Sequence, residues 1–490
     1  MARWFRRRRS SVVVAALTAC ASLVLLARLH VVQESGGDDR RDFRSGSVGR
    51  HHGEYGRKRL QALPDDITSH GGQDDQTIIA VKPDPIPRKP SFLVYVYDLP
   101  EKFNTNLTRC VQNGDSCFKF NNSGMGPELR STEKMSYRNT YGHSLEVILH
   151  EKLIASYHRT FDPNEADAFY IPFYPSVACL CRTYSRIDVT KLHNDLWEFL
   201  NSALPYFNNG NTMRPHFMAL GRMEREHWGN NCPLLRDEAR TSSITFIGIE
   251  QEPSEKTRRY FHRDGKEMII APLPSYGHFN SKETAALNAR QTNVFPADVR
   301  QTERDVFMLL AASSRKGHDI RSILKRRMTG TSERYSQFSA HATLKEMQAV
   351  WFHTPECHHD LHLPIVDWMR HSVFCLQPPG YSNIRKSFFD SVMSGCIPVT
   401  FRSKRSHVIY PFERTLDYRR FSINIPVDEV LSGRTNVTKV LKGVSKWKIS
   451  ELQSNLAEVA PKLQYSYPPL RGADHDAFAM IIEEMNRISE

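Results

Sequence analysis

The chain has 490 residues, a net charge of +12, an apolar fraction of 40% and 24% charged residues. That length allows two or three domains, and that composition excludes a wholly disordered or fibrous chain. The positive excess is uneven: Arg3, Arg6, Arg7, Arg8 and Arg9 cluster at the start and no long Lys/Arg stripe follows, so nucleic acid is a poor partner and a basic cleft for an anionic ligand a better one.

In chain order, residues 1–10 read as a cytosolic tail and 11–32 as a transmembrane signal anchor. The run Ser11 to Ala27 is uncharged and mostly apolar, long enough for a thin bilayer. The arginines before it put the N-terminus in the cytosol and the rest outside. Two other readings compete. Signal-peptide cleavage at Ala19-Cys20-Ala21 would fall inside the apolar run, and the lipoprotein-like Leu17-Thr18-Ala19-Cys20 lacks a polar linker behind it. Residues 33–90, rich in Gly, Asp, Arg, Ser, His and Pro, read as a flexible stem.

Residues 91–300 form a first α/β lobe. Phe92 to Tyr97 is a buried strand by its β-branched and aromatic content, and Tyr141 to Tyr157 has helical apolar spacing. Asp167 to Tyr174 is a strand and Val189 to Leu204 a helix. His216 to Gly221, Ile244 to Ile249 and Met268 to Ala271 are further strands. Residues 301–435 repeat the alternation. Asp305 to Ala311 is a strand, Asp319 to Met328 a helix, Ala342 to Val350 an element of undecided type, and Pro364 to His371 a helix. Residues 436–490 carry two terminal helices, Val440 to Leu463 and Asp474 to Ile488.

The most informative segment runs from Val373 to Phe401. An apolar strand enters the turn Pro378-Pro379-Gly380, a basic patch opens an amphipathic helix, and Gly395 leads into a second strand. Open α/β sheets bind ligands at that polar loop. The helix N-terminus suits a phosphate, Arg385 and Lys386 add charge, and Asp390 could hold a ribose diol.

This segment resembles the donor-binding region of the exostosin-type glycosyltransferases, within them the plant xyloglucan galactosyltransferases of the KATAMARI type. The shared run is Phe374-Cys375-Leu376-Gln377-Pro378-Pro379-Gly380, then Arg385-Lys386, Phe389-Asp390-Ser391 and Gly395-Cys396-Ile397-Pro398-Val399. It departs at Tyr381, where the family usually has Asp, and at Lys386, where Arg is usual. Val94 to Asn104, Lys119-Phe120, Gly124 to Pro127, Ala166 to Tyr174, Cys357-His358 and His371-Ser372 match in family order. Asn230 to Lys266 matches poorly. Two α/β lobes after an anchor and stem describe a GT-B glycosyltransferase, and the resemblance implies the same fold.

What the resemblance implies is a Golgi type II enzyme with a lumenal catalytic part. It inverts, carrying a sugar from a UDP-sugar to a cell-wall polysaccharide, most simply galactose onto the xylosyl side chains of xyloglucan. Galacturonosyl or arabinosyl transfer is the rival within the family. An inactive member that scaffolds complexes of Golgi transferases is the rival of another class. The clamp for the departing UDP is expected from Arg385, Lys386 and Ser387, then Arg321, Arg315 and Lys316. Resemblance puts Glu226 at the base position, with Glu224 two residues away, and sets His278 against a family Tyr-x-His. His143 opens a helix and is a weaker candidate.

No metal is expected as cofactor. Cys357-His358-His359 with His362 has ligand types at close spacing, Cys179-x-Cys181 is too close for the usual zinc pair, and Asp474-His475-Asp476 reads as a helix cap. Eight cysteines follow the anchor, which fits an oxidising compartment, and Cys110 with Cys117 is the expected local pair. Asn106, Asn121 and Asn436 stand in glycosylation sequons.

Overall fold

The computed structural model describes residues 90–490 except 116, 209–210, 213, 230, 252–267, 283–298, 300–302, 313–318, 327–329, 332–347, 353–361, 404–407 and 473–474. All elements below belong to the compact unit Pro85–Glu490. The anchor, the stem, Arg315, Lys316, Cys357 to His359 and Asp474 lie outside the described residues.

The first part of the chain gives β1 (Val94–Val96), α1 (Thr105–Gly114), β2 (Glu128–Ser131), β3 (Met135–Arg138), α2 (Leu145–Ala155), β4 (Arg159–Thr160), β5 (Ala168–Tyr170), α3 (Pro175–Ser185), α4 (Val189–Ala203), β6 (His216–Leu220), β7 (Ile244–Gly248), β8 (Ile269–Ile270) and β9 (Gly277–Phe279). Six strands form one parallel sheet in the order β8-β7-β6-β5-β1-β4. Every residue of β6 and β7 is buried. Central parallel strands covered on both faces read as continuous apolar runs. In α4, Asp188 accepts from the Lys191 amide at 3.0 Å, and Val189, His193, Leu196, Trp197 and Leu200 form the buried stripe. A small antiparallel sheet, β9-β3-β2, lies apart in hydrogen bonding from the large one.

The second part gives β10 (Val306–Ala311), α5 (Asp319–Arg326), β11 (Gly330–Thr331), β12 (Gln348–Phe352), α6 (His362–Arg370), β13 (Ser372–Gln377), α7 (Lys386–Met393), β14 (Ile397–Thr400) and β15 (Ile423–Asn424). They build a second parallel six-stranded sheet, β11-β12-β10-β13-β14-β15. The chain places β11 and β12 on one side of β10 and β13 onward on the other. The order therefore reverses between β10 and β13, the switch point at which open α/β sheets place their ligand crevice, beyond the carboxyl ends of those two strands. Of the undecided stretch 342–350, residues 348–350 belong to β12, and 342–347 lie outside the described residues.

Helix α7 joins the two parts. Phe388, Phe389, Val392 and Met393 share one apolar cluster with Met135, Tyr137 and Phe279 of the small sheet and with Tyr465 and Phe478. Packing is close enough that a Cβ at Gly277 would sit 3.3 Å from Met393 Cβ. Each such side chain stabilises by roughly 1.5–3 kcal/mol when fully buried. The end of α7 needs the left-handed backbone of Gly395, at φ 68°.

The terminal region differs from two plain helices. It contains α8 (Val437–Lys442), α9 (Lys446–Val459), a short 3-10 turn and α10 (Ala477–Ser489). Gly443 stops α8, and Ser445 starts α9 by accepting from the Lys448 amide. Asp476 caps α10 through the Phe478 amide at 2.8 Å and pairs with Lys152 at 2.6 Å, both partners buried. That pair and the contact of α10 with β8 return the C-terminus to the first sheet.

Candidate functional site

The crevice beyond β10 and β13 is lined by arginine. Arg385 is the N-cap residue of α7. Its Nη2 donates to the Ala311 carbonyl at the end of β10, 2.9 Å away. Arg321, buried on α5, donates from Nε to the Pro379 carbonyl just past β13, at 3.2 Å. Gly380 leaves the room the Arg321 guanidinium occupies, since a Cβ there would push that side chain aside. Burial, then the neighbouring Arg321 charge, pull the Arg385 guanidinium down to about 9, so it stays charged at neutral pH. Among the described residues its buried Nη1 has no hydrogen-bond partner.

Lys386 and Asp390 stand one turn apart on α7 and pair at 2.9 Å. Burial lowers the Lys386 ammonium to about 8 and raises the Asp390 carboxyl, the second against the pull of Lys386. Asp390 also accepts from the Tyr276 amide at 2.8 Å, and Lys386 lies over the Tyr276 ring. Asp390 is thus a buried tie between α7 and the segment before β9, a different task from the free carboxylate a ribose would need. Ser387 donates to Gln377 Oε1 at 2.6 Å, and Gln377 Nε2 donates back to the Ser387 carbonyl. That pair fixes the end of β13 to the start of α7.

Opposite stands the first sheet. Gly142 and His143 precede α2, Gly221 to Glu226 follow β6, and Glu250 follows β7. A Cβ at Gly142 would lie 3.3 Å from Lys386 Cδ, so this face touches α7 directly. His143 Nδ1 lies 2.7 Å from the Gly221 carbonyl, and Gly221 donates its amide to Glu146 at 2.9 Å. Glu146, fully buried, also accepts from the Ser176 and Val177 amides at the start of α3. Burial pushes its carboxyl up to about 7 although those amides hold it down.

Glu226 is held by Arg222 through two bonds, 2.9 and 2.6 Å. Both Glu226 oxygens are thus engaged by one guanidinium, an ion pair in place of the free carboxylate a base would need. Glu224 is fully buried and pushed up to about 8 by that burial. His278 does not line the crevice. It is fully buried in the small sheet, with Nε2 on Thr140 Oγ1 at 2.7 Å and Nδ1 on the Tyr465 carbonyl at 2.8 Å, and burial lowers it to about 3. The local Tyr-x-His likeness carried no information on the side to which the ring turns.

Cys110 does not pair with Cys117. It bridges to Cys181, 71 residues on, joining α1 to α3, while Cys117 is disulfide-bonded elsewhere. Cys110 sits inside α1 and is bridged to α3, while Cys117 lies past the end of that helix, so nearness in sequence does not decide the pairing. Cys179 pairs with Cys232, and Cys375 with Cys396. Among the described residues Cys179, His227 and Cys232 are grouped with metal-ligand types. With the two sulfurs joined they supply no thiolates, so the group is structural. The sequon residues Asn106, Asn121 and Asn436 are exposed, and Asn436 caps α8. No helix among the described residues is long and apolar enough to cross a membrane.

The sequence missed Glu250 and Arg225. Glu250 is buried, and its carboxylate accepts from the Asn383 and Ile384 amides of the other lobe. Arg225 donates to the Tyr381 carbonyl and lies 4.6 Å over the Tyr381 ring. No spacing in the chain signals these contacts, which span more than 130 residues.

Two parallel α/β sheets meeting at a cationic crevice suit a group-transfer enzyme that takes an anionic donor. Residues 88–441 match the exostosin GT47 domain. The chain belongs to this glycosyltransferase family. It is 26% identical over 390 residues to the probable xyloglucan galactosyltransferase GT17 of Arabidopsis thaliana, covering 77% of this chain and 78% of that protein. Xyloglucan galactosyltransferase XLT2 of the same plant is 26% identical over 422 residues, covering 80% and 74%. Xyloglucan-specific galacturonosyltransferase 1, also from Arabidopsis, is 28% identical over 389 residues, covering 76% of this chain and 53% of its own length. The crystal structure of Anabaena HepE in complex with UDP aligns over 66% of this chain and 78% of its own at 10% identity, with a TM-score of 0.28, too slight a likeness to add to the sheets described above.

Proposed function

We propose that the protein is a GT-B, inverting glycosyltransferase that moves galactose from UDP-galactose to the xylosyl side chains of xyloglucan. One observation carries the donor site. Beside Arg321 and the Lys386–Asp390 pair, the buried Nη1 of Arg385 has no hydrogen-bond partner among the described residues. A buried excess of positive charge is costly unless an anion compensates it. A diphosphate at the start of α7 would do so and would also meet the helix dipole. As the sugar–phosphate bond breaks, charge grows on the diphosphate, so the same cations stabilise the transition state more than the ground state. With that role filled by side chains, the proposed reaction needs no metal.

The relatives' names support xyloglucan as acceptor. Galacturonate is the second donor reading, favoured by the 28% identity to a galacturonosyltransferase. A Golgi membrane location with the catalytic part lumenal is also proposed. Support comes from the arginine-flanked apolar run and from the disulfides, which persist in oxidising compartments.

The test is incubation of the purified lumenal part with xyloglucan and separate UDP-sugars, with UDP release and labelled product both measured. Transfer from UDP-galactose alone fits the first reading, and transfer from UDP-galacturonate alone the second. Activity that survives excess EDTA fits the metal-free clamp, whereas loss restored by Mn²⁺ contradicts it.

A further inference from the structure

We propose that His143 is the catalytic base that takes the proton of the acceptor hydroxyl, an inference that rests on the glycosyl-transfer reading above. The tautomer is the first argument. Nδ1 lies 2.7 Å from the Gly221 carbonyl oxygen. A carbonyl only accepts, so Nδ1 carries the proton and Nε2 of the neutral ring keeps its lone pair. The ring is half-buried, and Tyr141 packs against it edge-on with centroids 5.3 Å apart.

Position is the second argument. His143 follows Gly142, whose missing side chain leaves room for Lys386 of α7. The backbone at His143 therefore stands at the junction of the two lobes, next to the helix start that Arg385 caps. Its support is built in: Glu146 holds the Gly221 amide, and the Gly221 carbonyl holds His143. A Cβ at Gly221 would collide with the His143 carbonyl, so this approach requires glycine.

The charges around the ring come from several elements. Arg222 and Glu226 face it after β6, locked together as an ion pair. Glu146 lies inward on α2, and Lys386 approaches from α7 through Gly142. Burial first and Arg222 second keep the ring below its ordinary 6.5, in the proton-accepting form at neutral pH. Glu226 has both oxygens on Arg222, which leaves it poorly placed for the same task.

In the step, Nε2 takes the hydroxyl proton while the hydroxyl oxygen bonds to the anomeric carbon. The bond from that carbon to the diphosphate oxygen breaks, and its electron pair leaves with UDP beside Arg385. The imidazolium returns its proton to water after the products depart.

The experiment compares the wild-type chain with His143→Ala, His143→Gln and Glu226→Gln. Both His143 variants should bind UDP as the wild type does and lose about 10²- to 10⁴-fold in kcat. Added imidazole should restore part of the turnover of His143→Ala. The wild-type kcat should fall on the acid side below pH 6.5, and this limb should vanish in His143→Gln. Glu226→Gln should retain a kcat within about tenfold of wild type. Unchanged kcat, a retained acid limb or lost UDP binding in both His143 variants would overturn the base assignment alone. Absence of UDP binding by the wild type would overturn the glycosyl-transfer reading and this inference with it.

Discussion

Glu250, two residues past β7, accepts hydrogen bonds from the Asn383 amide at 2.8 Å and from Asn383 Nδ2 at 3.1 Å, so the first lobe grips the loop that leads into α7 of the second. The Ile384 amide adds a third bond at 3.2 Å, and Arg225 pairs with the same carboxylate at 3.3 Å. The loop Gly380–Ile384 is therefore fixed through two backbone amides and the Asn383 side chain.

Glu250→Ala should release that loop. The buried Ile384 amide loses its acceptor at a cost of about 1–3 kcal/mol, the part-buried Asn383 amide loses the same acceptor, and Arg225 loses one of its partners. Hydrogen exchange at Asn383 and Ile384 should speed up, and the KM for the donor should rise more than kcat falls. Unchanged exchange at those two amides would mean that the contact does not hold the loop.

Asp390→Ala should act on stability before binding. It leaves the buried Lys386 ammonium without its partner at 2.9 Å, a change that costs about 3–5 kcal/mol when a buried pair is broken. Thermal unfolding of the ligand-free protein should show a clear drop. A normal Tm combined with weakened UDP binding would instead restore the ribose contact that the sequence suggested.

Much of the architecture was legible from the chain. Parallel strands such as His216–Leu220 and Val306–Ala311 announce themselves as continuous apolar runs because both faces are covered. The strand–turn–helix–strand unit was equally plain, since a Pro-Pro-Gly turn, a basic patch and a final glycine have fixed structural uses. What stayed hidden depends on distance through the chain. The Cys110–Cys181 bridge and the burial of His278 against Tyr465 are set by how elements pack. Asp390 illustrates the same limit: its place on α7 was readable, but its partner Tyr276 lies 114 residues earlier.

Glu224 should give the protein a pH-dependent stability. Its carboxyl is raised by burial from an ordinary 4.5 to about 8. Between those values the unfolded chain releases the proton and the folded protein keeps it. The contribution is thus fully present below pH 4.5 and is lost as pH climbs to about 8, on the order of a few kcal/mol. Urea midpoints measured at pH 5 and pH 8 should fall less in Glu224→Gln than in the wild type. Equal falls would place the dependence on another group.

The Cys375–Cys396 bridge ties β13 to the residue before β14 across 21 positions, with α7 inside the closed loop. Replacing both cysteines with alanine should cost about 2–4 kcal/mol by freeing the unfolded chain. The Tm should fall, and UDP should recover part of the loss by binding the native state. A Tm unchanged by the double replacement would show that the bridge adds nothing to the strand–helix–strand unit.

That the crevice between β10 and β13 holds a nucleotide diphosphate is tested most directly by titrating UDP into the purified protein by calorimetry. Wild type should bind. Arg385→Ala should bind at least tenfold more weakly and, in the transfer assay, lose about 10²-fold or more in turnover. Arg385→Lys should recover only part of both, because the planar fork is lost. Far-UV circular dichroism on the same samples checks the fold. Folded Arg385→Ala and Arg321→Ala proteins that bind UDP as tightly as the wild type would contradict the account.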